Sequence, residues 1–166
     1  MLVPDLVVFP EVYVQPGESH LVREPSIMRT LLGSCVGIAF WAPRRGIGVL
    51  CHPMLPRYPV KTPADTSLAN SRRYVDFAIR EIARQFDALG VHRSEVRVKL
   101  FGGADVLLVA NPDCARPTVG KMNRDVAIAV LREEGFEVVA SNLGGTSGFN
   151  IQFHTGTGEV LLRRLG

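Results

Sequence analysis

The chain is poor in cysteine, with three in 166 residues, and poor in aromatics, at 7% with one tryptophan. An odd cysteine count with no Cys-x-x-Cys or His-x-x-x-His pair gives no disulfide framework and offers zinc no ligands at the usual spacing. No metal is expected, and a thiol is left free in a reducing compartment. Nor is there any apolar run near the roughly 18–20 residues of a membrane span. Met1-Leu2-Val3-Pro4-Asp5 has no basic segment leading into a long apolar one, so no secretion signal is visible. The expectation is one soluble domain over residues 1–166, in the cytoplasm, with no membrane insertion. Charge of one sign is also scarce. The net charge is +3, and the basic residues come as scattered pairs (Arg44-Arg45, Arg72-Arg73, Arg163-Arg164) that read as solvated surface, so no nucleic-acid partner is expected. The Gly102-Gly103 and Gly144-Gly145 turns match neither the P-loop nor Gly-x-Gly-x-x-Gly, and no organic cofactor is implied.

What is present is a regular alternation of apolar runs and turn signals, with apolar residues at 46%. Short strands are predicted at Leu6-Val7-Val8-Phe9, ending at Pro10, and at Val12-Tyr13-Val14. Longer ones follow at Ile27 to Leu32, Val36 to Trp41 and Ile47 to His52, the last two joined by the Pro- and Gly-bearing loop Ala42 to Gly46. Arg57 to Asn70 lacks an apolar period and reads as an irregular loop. Val75, Ala78, Ile79, Ile82, Ala83 and Phe86 recur at helical spacing, which predicts a helix from Asn70 to Leu89 ended by Gly90. A strand over Val96 to Phe101, a polar loop at Asn111-Pro112-Asp113, a helix from about Thr118 to Glu134, a strand over Phe136 to Ala140 and a final hairpin (Phe149 to Phe153, Glu159 to Leu162) complete the chain. This order predicts an α+β domain with mixed or antiparallel sheets carrying helices on the outside.

Chemistry is most plausible at Leu32-Gly33-Ser34-Cys35-Val36. A cysteine between apolar strands is commonly a small buried hydrophobe. Here a glycine and a serine precede it, so the chain can bend and bring backbone N–H groups to the thiol, as an oxyanion needs. The hairpin loop returns His52 to the end where Cys35 begins, and a nearby imidazole would hold the thiol as a thiolate. Cys51 adjoins His52 on a strand, so their side chains take opposite faces. Cys51 and Cys114 read as structural or incidental. His20 and His92 lie in polar stretches, and His154 is the alternative base.

Thr30-Leu31-Leu32-Gly33-Ser34-Cys35-Val36, His52-Pro53-Met54-Leu55-Pro56, Lys99-Leu100-Phe101-Gly102-Gly103-Ala104, Gly120-Lys121-Met122-Asn123 and Leu143-Gly144-Gly145 occur in that order. On these residues the chain resembles CheD, the bacterial chemoreceptor glutamine deamidase family. The resemblance implies a cysteine hydrolase fold shared with cytotoxic necrotizing factor deamidases. It also implies a catalytic cysteine, histidine and threonine, which fall on Cys35, His52 and Thr30. A slip of one residue would bring Arg29 to the threonine's place and turn the side chain to the other face, so the register decides between a triad and a pair. Where the family often has an arginine after the Gly-Gly turn, this chain has Gly148-Phe149-Asn150.

The implied reaction converts receptor glutamine to glutamate through a Cys35 thioester. The same acyl chemistry would hydrolyse glutamate methyl esters. The implied partner is the cytoplasmic domain of a methyl-accepting chemotaxis receptor, with a CheC-like phosphatase as a further one. The rival of another class is a non-catalytic adaptor docking on receptors or on such a phosphatase. A general cysteine peptidase or transglutaminase would share the Cys–His pair but not the ordered motifs.

Overall fold

A computed structural model describes residues 7–59, 67–106 and 116–166. Among these, the order is β1 (Glu11–Tyr13), β2 (Ser19–Val22), β3 (Ile27–Leu32), β4 (Val36–Ala42), β5 (Ile47–Cys51), α1 (Leu68–Ser71), α2 (Val75–Ala88), β6 (Arg97–Gly102), α3 (Val119–Glu133), β7 (Glu137–Leu143), β8 (Phe149–His154) and β9 (Val160–Arg164). They form a five-stranded sheet, β2-β5-β4-β6-β7, and a four-stranded sheet, β1-β3-β8-β9. Both are mixed: β6 and β7 run parallel, as do β1 and β3, and the other neighbours are antiparallel. No helix among the described residues is long and apolar enough to cross a membrane.

Side-chain alternation along the central strands sorts the core into two layers. Ile38 and Phe40, Val49 and Cys51, and Val98 and Leu100 point to one face. There they pack under Ile79, Ile82 and Phe86 of α2 and Val126, Val130 and Leu131 of α3. Ala39, Leu50 and Phe101 point to the other face and meet Met28, Leu32, Phe149, Ile151 and Phe153 of the second sheet. The result is three layers, helices on sheet on sheet, and it has the expected α+β class. Continuous apolar runs in β4 and β5 follow from burial on both faces.

Three local expectations need correction. Val7 to Pro10 is not a strand: Val7 and Val8 are 70% and 79% exposed, and pairing begins only where Ile27 N–H donates to the Pro10 carbonyl. Leu6 lies outside the described residues. The half-buried β2, an edge strand on β5, carries little apolar alternation and was not expected. The second helix starts at Val75 rather than Asn70, because Met54 and Leu55 N–H both donate to the Arg73 carbonyl and Tyr74, bridged to Leu55, is extended. The short α1 precedes this break, capped by the Ser67 hydroxyl. Of the predicted loops, residues 60–66 and Asn111-Pro112-Asp113 lie outside the described residues, as does Cys114.

Candidate active site

Cys35 lies on the link that carries the chain from one sheet to the other. β3 ends at Leu32 in the four-stranded sheet, Gly33-Ser34-Cys35 turns, and β4 starts in the five-stranded sheet at Val36. The turn is held from outside: Gly103 N–H donates to the Cys35 carbonyl (2.8 Å) and Ala104 N–H to the Gly33 carbonyl (3.0 Å). Gly102 makes this approach feasible. Its φ of 93° is left-handed, and a Cβ there would run into the Cys35 carbonyl. With the carbonyls engaged, the Ser34 and Cys35 amides donate to no backbone carbonyl among the described residues.

β4 and β5 pair antiparallel with Ile38 opposite Cys51, and the ladder runs on to a bond from Val36 N–H to the Pro53 carbonyl (3.3 Å). Cys35 and His52 are therefore on one face, two positions apart along the ladder. That is the diagonal relation, about 7–8 Å between backbones, across which ring side chains reach. Cys51 takes the other face, in the layer under the helices.

His52 is 1% exposed. Its N–H donates to the Glu18 carbonyl (2.9 Å) and its carbonyl accepts from Gly17 N–H (2.7 Å), so the unexpected strand β2 and its approach fix the histidine backbone. The ring is held from the opposite sheet. Thr30, a buried polar residue on the inner face of β3, lies 2.7 Å from the Val14 carbonyl and 2.7 Å from His52 Nδ1 through Oγ1. A hydroxyl has one proton, and the Val14 carbonyl can only accept, so the proton goes there. Thr30 Oγ1 then accepts from His52 Nδ1–H, and Nε2 keeps its lone pair. Arg29 points to the outer face, where it meets Glu11 (3.1 Å) and Gln152 (2.5 Å).

Burial governs the electrostatics of both groups. Burial pushes the Cys35 thiol above its ordinary value, against a smaller opposing effect of its own backbone amide. Burial lowers His52 to about 4, against a smaller upward pull from the Val14 carbonyl. Both shifts favour the uncharged forms, a thiol and a neutral imidazole. Cys51, fully buried, is pushed further up by the same cause.

The other histidines stand apart. His20 pairs with Glu18 (3.0 Å), His92 is exposed, and His154 sits opposite Ile27 at the far end of β3, 2.7 Å from Gln152. Gly148 packs against the Leu32 carbonyl, and Asn150 pairs with Leu31. Asn123 was not singled out as a site residue. It is 0% exposed on α3, and its Nδ2 donates to the Ser34 carbonyl (3.0 Å) and the Met54 carbonyl (2.9 Å). An asparagine on the apolar stripe of Val126, Ala127, Val130 and Leu131 was the available signal.

A family model described as CheD chemotactic sensory transduction matches residues 54–164. That match begins after Thr30, Cys35 and His52. The chain is 40% identical over 156 residues to the "Probable chemoreceptor glutamine deamidase CheD 2" of Geobacter sulfurreducens, covering 94% of this chain and 91% of that protein. It is 37% identical over 157 residues to the "Probable chemoreceptor glutamine deamidase CheD" of Maridesulfovibrio salexigens, covering 93% and 91%. Among solved structures, Neisseria meningitidis protein NMB0706 superimposes with a TM-score of 0.51 at 12% identity, over 83% of this chain and 65% of that one. At this identity the likeness concerns the fold alone.

Proposed function

Because the chain belongs to the CheD family, we propose that it deamidates glutamine side chains of chemoreceptors, with Cys35 as nucleophile, His52 as base and acid, and Thr30 orienting the imidazole. The substrate is the cytoplasmic helical domain of the receptor. The reading of the site is carried by one observation: the Val14–Thr30–His52 chain, which leaves Nε2 as an acceptor on the face that Cys35 shares.

As the glutamine carboxamide enters, His52 Nε2 takes the thiol proton while Sγ attacks the amide carbon. The carbonyl oxygen becomes an oxyanion, for which the Ser34 and Cys35 amides are the available donors. The imidazolium gives its proton to the leaving nitrogen, the C–N bond breaks, and ammonia departs from a thioester. Water then attacks the thioester as Nε2 takes one of its protons. The C–S bond breaks, the thiol is restored, and glutamate is released. A neutral resting pair suits this order, since the base must be free to accept. A glutamate methyl ester would follow the same path with methanol leaving.

The test is incubation of a receptor cytoplasmic fragment with the protein and with Cys35→Ala, read by mass spectrometry for the Gln-to-Glu gain of about 1 Da per site. Conversion is expected with the wild type alone. Equal conversion by Cys35→Ala would remove Cys35 as the nucleophile, and none with either would remove the deamidase reading.

A further inference from the structure

Helix α3 is pressed unusually close to the turn that supports Cys35. Thr118 caps the helix by accepting from Lys121 N–H (3.0 Å) and also bonds Asp105. Arg124 pairs with Asp105 (3.2 Å) and donates to the Gly103 carbonyl (2.6 Å). At Gly120 any Cβ would run into the Ala104 carbonyl, so only glycine allows this approach. One turn further along, the approach brings Asn123 between the nucleophile turn and the histidine loop. Its Nδ2 spans the Ser34 and Met54 carbonyls, one just before Cys35 and the other two residues after His52.

Asn123 Oδ1 is buried and finds no partner among the described residues. An unpaired buried acceptor is destabilising, and a leucine would suit the surrounding apolar stripe without it. What leucine cannot do is donate to both carbonyls. We propose that Asn123 is a positioning residue: its side-chain amide locks the Cys35 turn to the His52 loop and so sets the separation of thiol and imidazole. This rests on the reading of Cys35 and His52 as the reacting pair.

The test compares wild type, Asn123→Ala, Asn123→Leu, Asn123→Gln and a control, Ile128→Gly, which weakens the same helix at an exposed position away from the site. The readouts are kcat and KM for deamidation of a receptor fragment, and the pH profile of Cys35 alkylation by iodoacetamide, which needs no substrate. Asn123→Ala and Asn123→Leu are expected to lose about 10²-fold in kcat, with KM within about twofold and a displaced alkylation profile. Asn123→Gln, which keeps the donor, is expected to recover at least about tenfold of that loss. Ile128→Gly should keep the wild-type kcat and profile per folded molecule. If the alanine variant does not fold, the volume-filling leucine variant decides. Wild-type kcat and profile in a folded donor-less variant, or an equal loss in Ile128→Gly, would overturn the proposal. If Cys35→Ala proves as active as wild type, the reading of the pair fails instead, while the alkylation profiles still report whether Asn123 holds the turn.

Discussion

Replacing Thr30 by valine keeps the shape of the side chain and removes only the hydroxyl. Two buried groups then lose their partner at once: the Val14 carbonyl and His52 Nδ1–H, each 2.7 Å from Oγ1. An unpaired buried polar group costs about 1–3 kcal/mol, so the pair should cost about 2–6 kcal/mol. With a urea dependence of about 2 kcal/mol per molar, the unfolding midpoint should fall by about 1–3 M. A domain of ordinary stability survives the lower half of that range. Catalysis should suffer separately, because the imidazole loses the bond that selects its tautomer. The expected fall in kcat per folded molecule is about 10²-fold, inside the range that general acid–base catalysis supplies. Thr30→Ser keeps the hydroxyl and gives up one methyl, about 1 kcal/mol, and should retain kcat within a few-fold. Urea titration followed by fluorescence gives the midpoints, and release of ammonia from a receptor fragment gives the rates. Thr30→Val with the midpoint and kcat of the wild type would refute the argument.

Since burial lowers His52 to about 4, the unfolded chain takes up a proton near pH 6.5 that the folded protein refuses. Stability from this group is full above pH 6.5 and is lost as pH falls through 4. The loss totals about 3 kcal/mol, measurable as the difference in unfolding midpoints between wild type and His52→Asn across that window. For the same reason the acid limb of kcat/KM should lie near pH 4, well below an ordinary histidine, and a limb near 6.5 would contradict the burial argument. Gly102→Ala forces a side chain into left-handed backbone and against the Cys35 carbonyl. It should destabilise by about 1–3 kcal/mol and depress kcat more than KM in steady-state assays. Peptide mapping after iodoacetamide treatment should find the Cys35 peptide labelled in the native protein and the Cys51 peptide labelled only after unfolding; native labelling of Cys51 would contradict its burial.

The elements that were legible in the sequence are those whose apolar pattern reflects the core they face. β3, β4, β5 and β6 sit within a residue or two of their predicted ranges, β3 and β6 because buried and exposed positions alternate along much of their length, β4 and β5 because burial on both faces makes them continuous apolar runs. β2 was not legible: its half-buried Ser19-His20-Leu21-Val22 gains its strand character from β5 rather than from its own pattern. The start of α2 was misplaced for a related reason, since the backbone bonds of Met54 and Leu55 to Arg73 override local helical preference. At the site, the pairing of β4 with β5 sets His52 and Cys35 on one face, and the pairing of β3 with β8 determines that Thr30 rather than Arg29 faces inward. The protonation of the pair could not be read, because it depends on how deeply both groups are buried. Asn123 was overlooked because its partners are carbonyls far away in sequence.

The threonine lies in one sheet, the histidine just past the end of a strand of the other, and the cysteine on the strap between them. Thr30 takes its place only when β3 is flanked by β1 on one side and by β8 on the other, and β8 ends at His154. A chain emerging from the ribosome thus carries Thr30, Cys35 and His52 long before it carries β8. The last strands complete the sheet that seats Thr30 against His52, so this constellation belongs to the finished fold and to no fragment of it.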